Sequence, residues 1–311
     1  MSTPTPTPPS AAAVSMGSGI GSAQKSVAQG FAKFRNNKLV SGAANFLYSN
    51  SLVAKVVFLI LAVIIFVFLL RIGTQIASWL FTPSKTPFLL PGLKSARKGV
   101  TISQDPRDRD SIPLERSKNQ RDGITFTYSV WMMIERIKAG DGRQKHVFHK
   151  GSSQFKKSGT VDGFTYAPTN NLPYPNMSPG LFIDGTNNKL HVYVNTFKKI
   201  VESISVPNIP MNKWFNVIIR VKNLNLDVFI NGNVAVRHRL MSPVKQNYED
   251  IHVNKYDGYD GFISSLRYWN YALTSPEIMD VNRGGPNLKA DKQQSGFPPY
   301  LSLRWYFKDS E

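Results

Sequence analysis

The residues whose types could carry chemistry are scattered. Asp184, Glu202 and Asp227 each stand singly, and Glu249-Asp250 forms a pair in a loop-like stretch. Retaining glycoside hydrolysis needs two carboxyl groups about 5–5.5 Å apart, which i, i+2 or i, i+4 spacing on a strand supplies. No strand-like segment has that spacing, so no catalytic residue is assigned and the chain is expected not to be an enzyme. The five histidines give no metal pattern. His146 and His149 lie three apart on one expected strand, which would put them on opposite faces. There is no Gly-x-Ser-x-Gly elbow. The chain has no cysteine, so a thiol nucleophile, a disulfide framework and a Cys-ligated metal are excluded, and a reducing compartment is favoured. Gly17-Ser18-Gly19-Ile20-Gly21 lacks the preceding strand and closing Lys-Ser/Thr of a phosphate loop. No cofactor is expected.

Binding chemistry has one stronger candidate. Segment 159–180, GTVDGFTYAPTNNLPYPNMSPG, is a long loop rich in Pro, Asn and Tyr. Long loops on a rigid scaffold often carry function. Tyr166 and Tyr174 would stack on a sugar or a partner, and Asn170 and Asn171 would hydrogen-bond to it. The competing reading is a structural loop pinned by its prolines.

These residues must be positioned by a chain of 311 residues with formal net charge +18. Eleven of those charges lie before residue 122. Such a basic leader suits an anionic membrane surface or nucleic acid, though no sequence-specific nucleic-acid binding is expected. Residues 1–19 are Pro/Ser/Thr-rich and are expected to be disordered. Residues 20–50 place Val27, Phe31 and Phe34 on one helical face among basic groups, as an interfacial or partner-binding amphipathic segment would. Val56 to Leu70 is an unbroken apolar run, bracketed by Lys55 and Arg71. With its flanks it predicts one transmembrane helix within 52–81. Three basic residues in 35–55 against two in 71–91 leave its orientation open. Residues 82–121 carry five prolines and mixed charges, and read as a basic linker that holds the next domain away from the bilayer.

From residue 122 the apolar period is two. Ile124, Phe126, Tyr128, Val130, Met132 and Ile134 alternate with Thr125, Thr127, Ser129, Trp131 and Met133. The same period recurs in Leu190–Val194, Phe215–Val221 and Leu226–Ile230. Asn231-Gly232 then separates two alternating runs, which is a strong hairpin signal because both turn positions need positive φ. Ile263, Leu266 and Tyr268 predict a further strand, and Leu301, Leu303, Trp305 and Phe307 a last one. A single short helix is expected after Ser275 as N-cap, with Pro276 in its first turn. The fold class is an all-β antiparallel sandwich over 122–311.

Four stretches together carry a resemblance: ITFTYSVWM, GLFIDGTNNKLHVYVN, NKWFNVIIRVKNLNLDVFINGNVA and DGFISSLRYWNYALTSPEIMDV. In their order and spacing they resemble the concanavalin A-like lectin/glucanase superfamily, in its laminin-G-like jelly-roll branch. The resemblance implies a jelly roll over roughly 122–307, with the family's hairpin turn at Ile230 to Gly232. It does not fix the function, because lectins, adhesion modules and hydrolases share this fold. It also implies a weak calcium site on loop carboxylates, for which Asp257 and Asp260 are the candidates; a solvated turn is the alternative.

Two function classes follow. One is a non-enzymatic, membrane-anchored structural protein whose sandwich binds other proteins. The other is a membrane-anchored lectin. A single span joined to such a domain resembles, in architecture, virion proteins of large double-stranded DNA viruses. There it would be a minor capsid protein linking an internal membrane to the capsid. The expected partners are therefore a lipid bilayer and structural proteins, or glycans.

Overall fold

The computed structural model describes residues 52–81, 83–108, 110–137 and 142–290. The leader segments 1–19 and 20–50 and the strand expected around 301–307 lie outside the described residues. The chain divides into two units, one ending at Thr82 and one beginning at Pro83.

The first unit contains helix α1, Leu52–Phe81, of 30 residues. Over Val56–Leu70 it is apolar on every face, so no stripe there distinguishes a core side. Lys55–Ser78 is long and apolar enough to cross a membrane.

The second unit is a two-sheet antiparallel sandwich. Its strands begin with β1 (Phe88–Leu90), β2 (Lys94–Ser95), β3 (Val100–Ile102), β4 (Lys118–Gln120), β5 (Gly123–Arg136) and β6 (Lys145–Gly151). An excursion follows with β7 (Phe155–Lys156), β8 (Gly159–Val161), β9 (Phe164–Tyr166) and β10 (Leu172–Pro173). Then come β11 (Met177–Ile183), β12 (Lys189–Val194), β13 (Glu202–Pro207), β14 (Trp214–Lys222), β15 (Asn225–Ile230) and β16 (Asn233–Arg239). The last are β17 (Ile251–Val253) and β18 (Asp260–Trp269), before helix α2 (Ser275–Gly284). One sheet runs β1-β18-β5-β14-β15-β16, with β2 beside β18 and β4 beside β5. The other runs β13-β12-β11-β6-β17-β3.

The period-two residues face inward as expected. Phe126, Tyr128, Val130, Met132 and Ile134 of β5 meet Phe215, Val217, Ile219 and Val221 of β14, and Leu181, Leu190 and Val192 of the opposite sheet, in one core. Fully burying such side chains contributes about 1.5–3 kcal/mol each. Asn231 and Gly232 both hold positive φ, at 50° and 81°, in the β15–β16 hairpin. In β18 the three-residue step from Ile263 to Leu266 is a bulge, with Ser265 at φ 50°.

Two expectations are corrected. Residues 82–121 are not a spacer. β1 and β2 extend one edge of the first sheet, β3 closes an edge of the second, and β4 pairs with β5. Prolines hid these strands because each is only two or three residues long and takes its register from its partner. The helix N-cap is Thr274 rather than Ser275. Glu277 accepts from both the Thr274 backbone N–H and its hydroxyl at 2.7 Å, closing a capping box.

Candidate functional site

The Pro/Asn/Tyr loop is a packed flap. Its strands pair as β8–β9 and β7–β10. Tyr166, expected at the surface, is only 1% exposed and sits in a second small core with Leu172, Met177, Phe182, Tyr193 and Val201. The three-residue β9 turns its ring inward, where it meets Tyr174 edge-on at 6.0 Å between centroids. Burial, with Tyr174 and Asp162 adding, pushes the Tyr166 hydroxyl up to about 12. Tyr174 is half-buried beneath the Lys156 ammonium, which lies 4.9 Å from its ring centroid. Asn170 and Asn171 are half-buried in the turn, where both backbone N–H groups donate to the Ala167 carbonyl. The loop therefore does not present its two tyrosines as a stacking pair.

The carboxylates have structural partners. Asp227 is buried and accepts from Arg220 Nη2 at 2.7 Å and Arg237 Nε at 2.6 Å. Glu202 accepts from the Met241 backbone N–H and pairs with His238 Nε2, both at 3.0 Å. Asp184 pairs with His191 at 3.1 Å. Asp260, one calcium candidate, faces Arg97 at 2.6 Å and Arg136 at 3.6 Å. Asp257, the other, is exposed with φ 61°. Two guanidinium groups at Asp260 compete with any cation there. Among the described residues, no group of three or more His, Asp or Glu is placed to hold a metal.

His146 and His149 do not point to opposite faces. The register of β6 against β11 shifts between Leu181 and Phe182, which pair with Phe148 and His146, so Val147 is an extra residue. The bulge brings both rings to the outer face beneath the flap. His252 lies beside His149, with centroids 4.9 Å apart. Burial first, then neighbouring charges and rings, holds His146 well below its ordinary value. Burial likewise lowers His149 to about 3.

What sequence periodicity could not show is a cavity of about 280 Å³ at one end of the sandwich. Ile124, Phe126, Tyr128 and Tyr268 form its apolar floor. Its polar lining includes Glu115, Lys150, Ser178 and Gln246, with Tyr248 beside them. The Lys150 ammonium donates to the Glu249 carbonyl, and burial lowers it to about 8 against the upward pull of Asp250 and Glu249. Ser178 Oγ, Glu115 Oε2 and Gln246 Oε1 are buried without a protein hydrogen-bond partner. A lining that mixes aromatic rings with hydroxyl, amide and ammonium groups can bind a polar ligand. It holds one carboxylate, Glu115, and hence no acid–base pair of carboxyls.

A family model from the concanavalin A-like lectin/glucanases superfamily, of laminin-G type, matches residues 108–279. A comparison with curated proteins returns no match. Among solved structures, the binding domain of botulinum neurotoxin serotype G aligns with TM-score 0.38 and 14% identity, over 51% of this chain and 36% of that one. The ligand-binding domain of serotype D, solved with N-acetylneuraminic acid, gives 0.39 and 16%, over 54% of this chain and 39% of that one. This chain thus spans well under half the length of those domains.

Proposed function

The chain belongs to the concanavalin A-like lectin/glucanases superfamily, and from that premise we propose that it is a membrane-anchored, non-enzymatic interaction protein. Its sandwich would hold neighbouring proteins close to a bilayer. The observation that carries this reading is the state of the carboxylates. Asp184, Glu202, Asp227 and Asp260 each face a basic side chain. They stabilise the fold and are not arranged as the pair that hydrolysis needs. The anchor is supported by the length and composition of Lys55–Ser78.

The assembly that this architecture fits is a protein shell over an internal membrane. A minor capsid protein of a large DNA virus would use the helix to hold the membrane and the sandwich to hold the shell. A second reading, a membrane-anchored lectin, is favoured by one observation: the end cavity combines Tyr and Phe rings with Ser, Asn, Gln and Lys side chains, a lining that suits a polyhydroxylated ligand.

Two measurements on the full chain test these readings. Cross-linking in the native membrane is expected to join the sandwich to protein neighbours. A glycan array is expected to stay silent; binding that Ser178→Ala removes would replace the first reading with the second. Release of reducing sugar from a glucan, abolished by one carboxylate substitution, would overturn both.

A further inference from the structure

The second unit begins beside one end of the sandwich. The Lys85 carbonyl accepts from Asn270 N and the Pro87 carbonyl from Tyr268 N, both at 3.1 Å, so Lys85 is already fixed beside the C-terminal end of β18. Four residue steps separate Phe81, the last residue of α1, from Lys85. Four extended steps reach at most about 14 Å.

The same end carries the connections 195–201 and 240–250, and the structure holds them firmly. Phe197 N donates to the Pro243 carbonyl at 3.2 Å, Lys198 N to Ser242 Oγ at 2.8 Å, and Lys245 N to the Asn195 carbonyl at 2.9 Å. From this platform Phe197, Met241 and Tyr248 project with 69%, 61% and 66% of their surface exposed. Exposed Arg116, Lys198, Lys199 and Lys245 surround them, and the Lys245 ammonium lies 6.0 Å from the Phe197 ring centroid. The acids nearby are mostly engaged. Glu202 binds His238, Asp250 binds the Gln104 N–H, and Glu249 binds Asn176; the exceptions are Asp122, which is exposed, and half-buried Glu115 in the cavity.

Apolar side chains projecting through a ring of lysines match the chemistry of a membrane interface. We propose that this end of the sandwich docks on the anionic headgroup surface of the bilayer that the chain's own helix spans, with Phe197, Met241 and Tyr248 entering the interface. The proposal rests on the anchored reading above. It leaves the opposite end, with the β11–β12 turn, to face protein partners. The cavity described above opens among the headgroups in that orientation.

The absence of cysteine allows a clean test. Phe197→Cys, Tyr248→Cys and, at the opposite end, Asn187→Cys each give a single labelling site in the full chain. Each labelled variant is reconstituted in phosphatidylcholine vesicles with and without phosphatidylserine, and quenching by nitroxide-bearing headgroups is read. Quenching several-fold stronger at positions 197 and 248 than at 187, dependent on phosphatidylserine and reversed by high salt, is the expected result. Each of Lys198→Gln, Lys199→Gln and Lys245→Gln should weaken docking about fivefold, the ratio that ~1 kcal/mol per cation corresponds to. Equal quenching at all three positions, or none at 197 and 248 in protein that survives an alkaline wash, overturns docking and leaves the anchor standing. Release of the protein by that wash overturns the anchor and the docking with it.

Discussion

His146 Nε2 lies 2.7 Å from Nδ1 of His149, and the bonds on either side fix which ring donates. His149 Nε2 faces the Ser152 carbonyl at 2.9 Å and must donate, so its Nδ1 accepts. His146 therefore donates through Nε2, and its Nδ1 accepts from the Lys255 backbone N–H at 2.9 Å. All four ring nitrogens are engaged with both rings neutral. A further proton on either ring would set donor against donor. The pair thus joins β6 to the start of the flap at Ser152 and to the loop before β18.

Acid should undo this arrangement. In the unfolded chain each histidine takes up a proton near its ordinary value of about 6.5, whereas His149 in the fold resists until about 3. His146 and His252 are also lowered, by burial first. The unfolded state then binds more protons below about pH 6.5, so stability falls as pH drops, by roughly 1.4 kcal/mol per unit for each such histidine. Thermal melts across that range should show the decline, and His149→Leu should flatten it. A melting temperature that ignores pH between the two values would refute the neutral pair.

Asp227 should be among the most sensitive positions. Removing its carboxylate leaves Arg220 with an uncompensated charge, since that guanidinium is only 12% exposed and stacks 4.8 Å from the Phe229 ring centroid. Breaking a buried pair in this way costs about 3–5 kcal/mol. Asp227→Ala should lower the denaturation midpoint accordingly, while Arg237→Ala, at a 60% exposed side chain, should cost far less. Equal effects would mean that burial does not govern this cluster.

The two tyrosines of the flap should separate sharply. Tyr166→Ala removes a fully buried ring from the second core and should cost about 3–5 kcal/mol, opening 152–176 to limited proteolysis. Tyr174→Ala, at a half-buried ring under Lys156, should cost about 1 kcal/mol. If instead Tyr166→Ala melts like the wild type but loses a partner, the ring is a contact residue after all.

The contrast shows which features a sequence carries. The long strands were legible because β5, β14 and β15 keep an apolar residue at every second position of their core face, and Asn231-Gly232 has one conformational meaning. β1 to β4 were not, because edge strands this short borrow register from their neighbours. The histidine pair was misplaced by one extra residue, Val147, which inverts the face of everything before it on β6. Tyr166 sits in a three-residue strand, too short for alternation to say which face is covered. The cavity and the exposed residues at its end depend on how separate connections converge, and no local pattern records that.

Calcium should have no grip on the loop that leads into β18. The ion takes six to eight oxygen ligands, and a carboxylate already facing two guanidinium groups is a poor one. Asp260 faces Arg97 and Arg136, while Asp257 is exposed in the turn itself. The glycines of this segment have another reason to be there. A Cβ on Gly258 would fall 2.0 Å from the Ala96 carbonyl oxygen, and one on Gly261 would fall 1.9 Å from that of Met133. The segment is built for close backbone approach to Ala96, just after β2, and to β5. Calcium or a chelator should therefore leave the melting temperature unchanged, whereas Gly261→Ala should lower it steeply through collision with β5. A calcium-dependent rise of several degrees, lost in Asp260→Asn, would show that the arginines yield to the ion and restore the loop as a metal site.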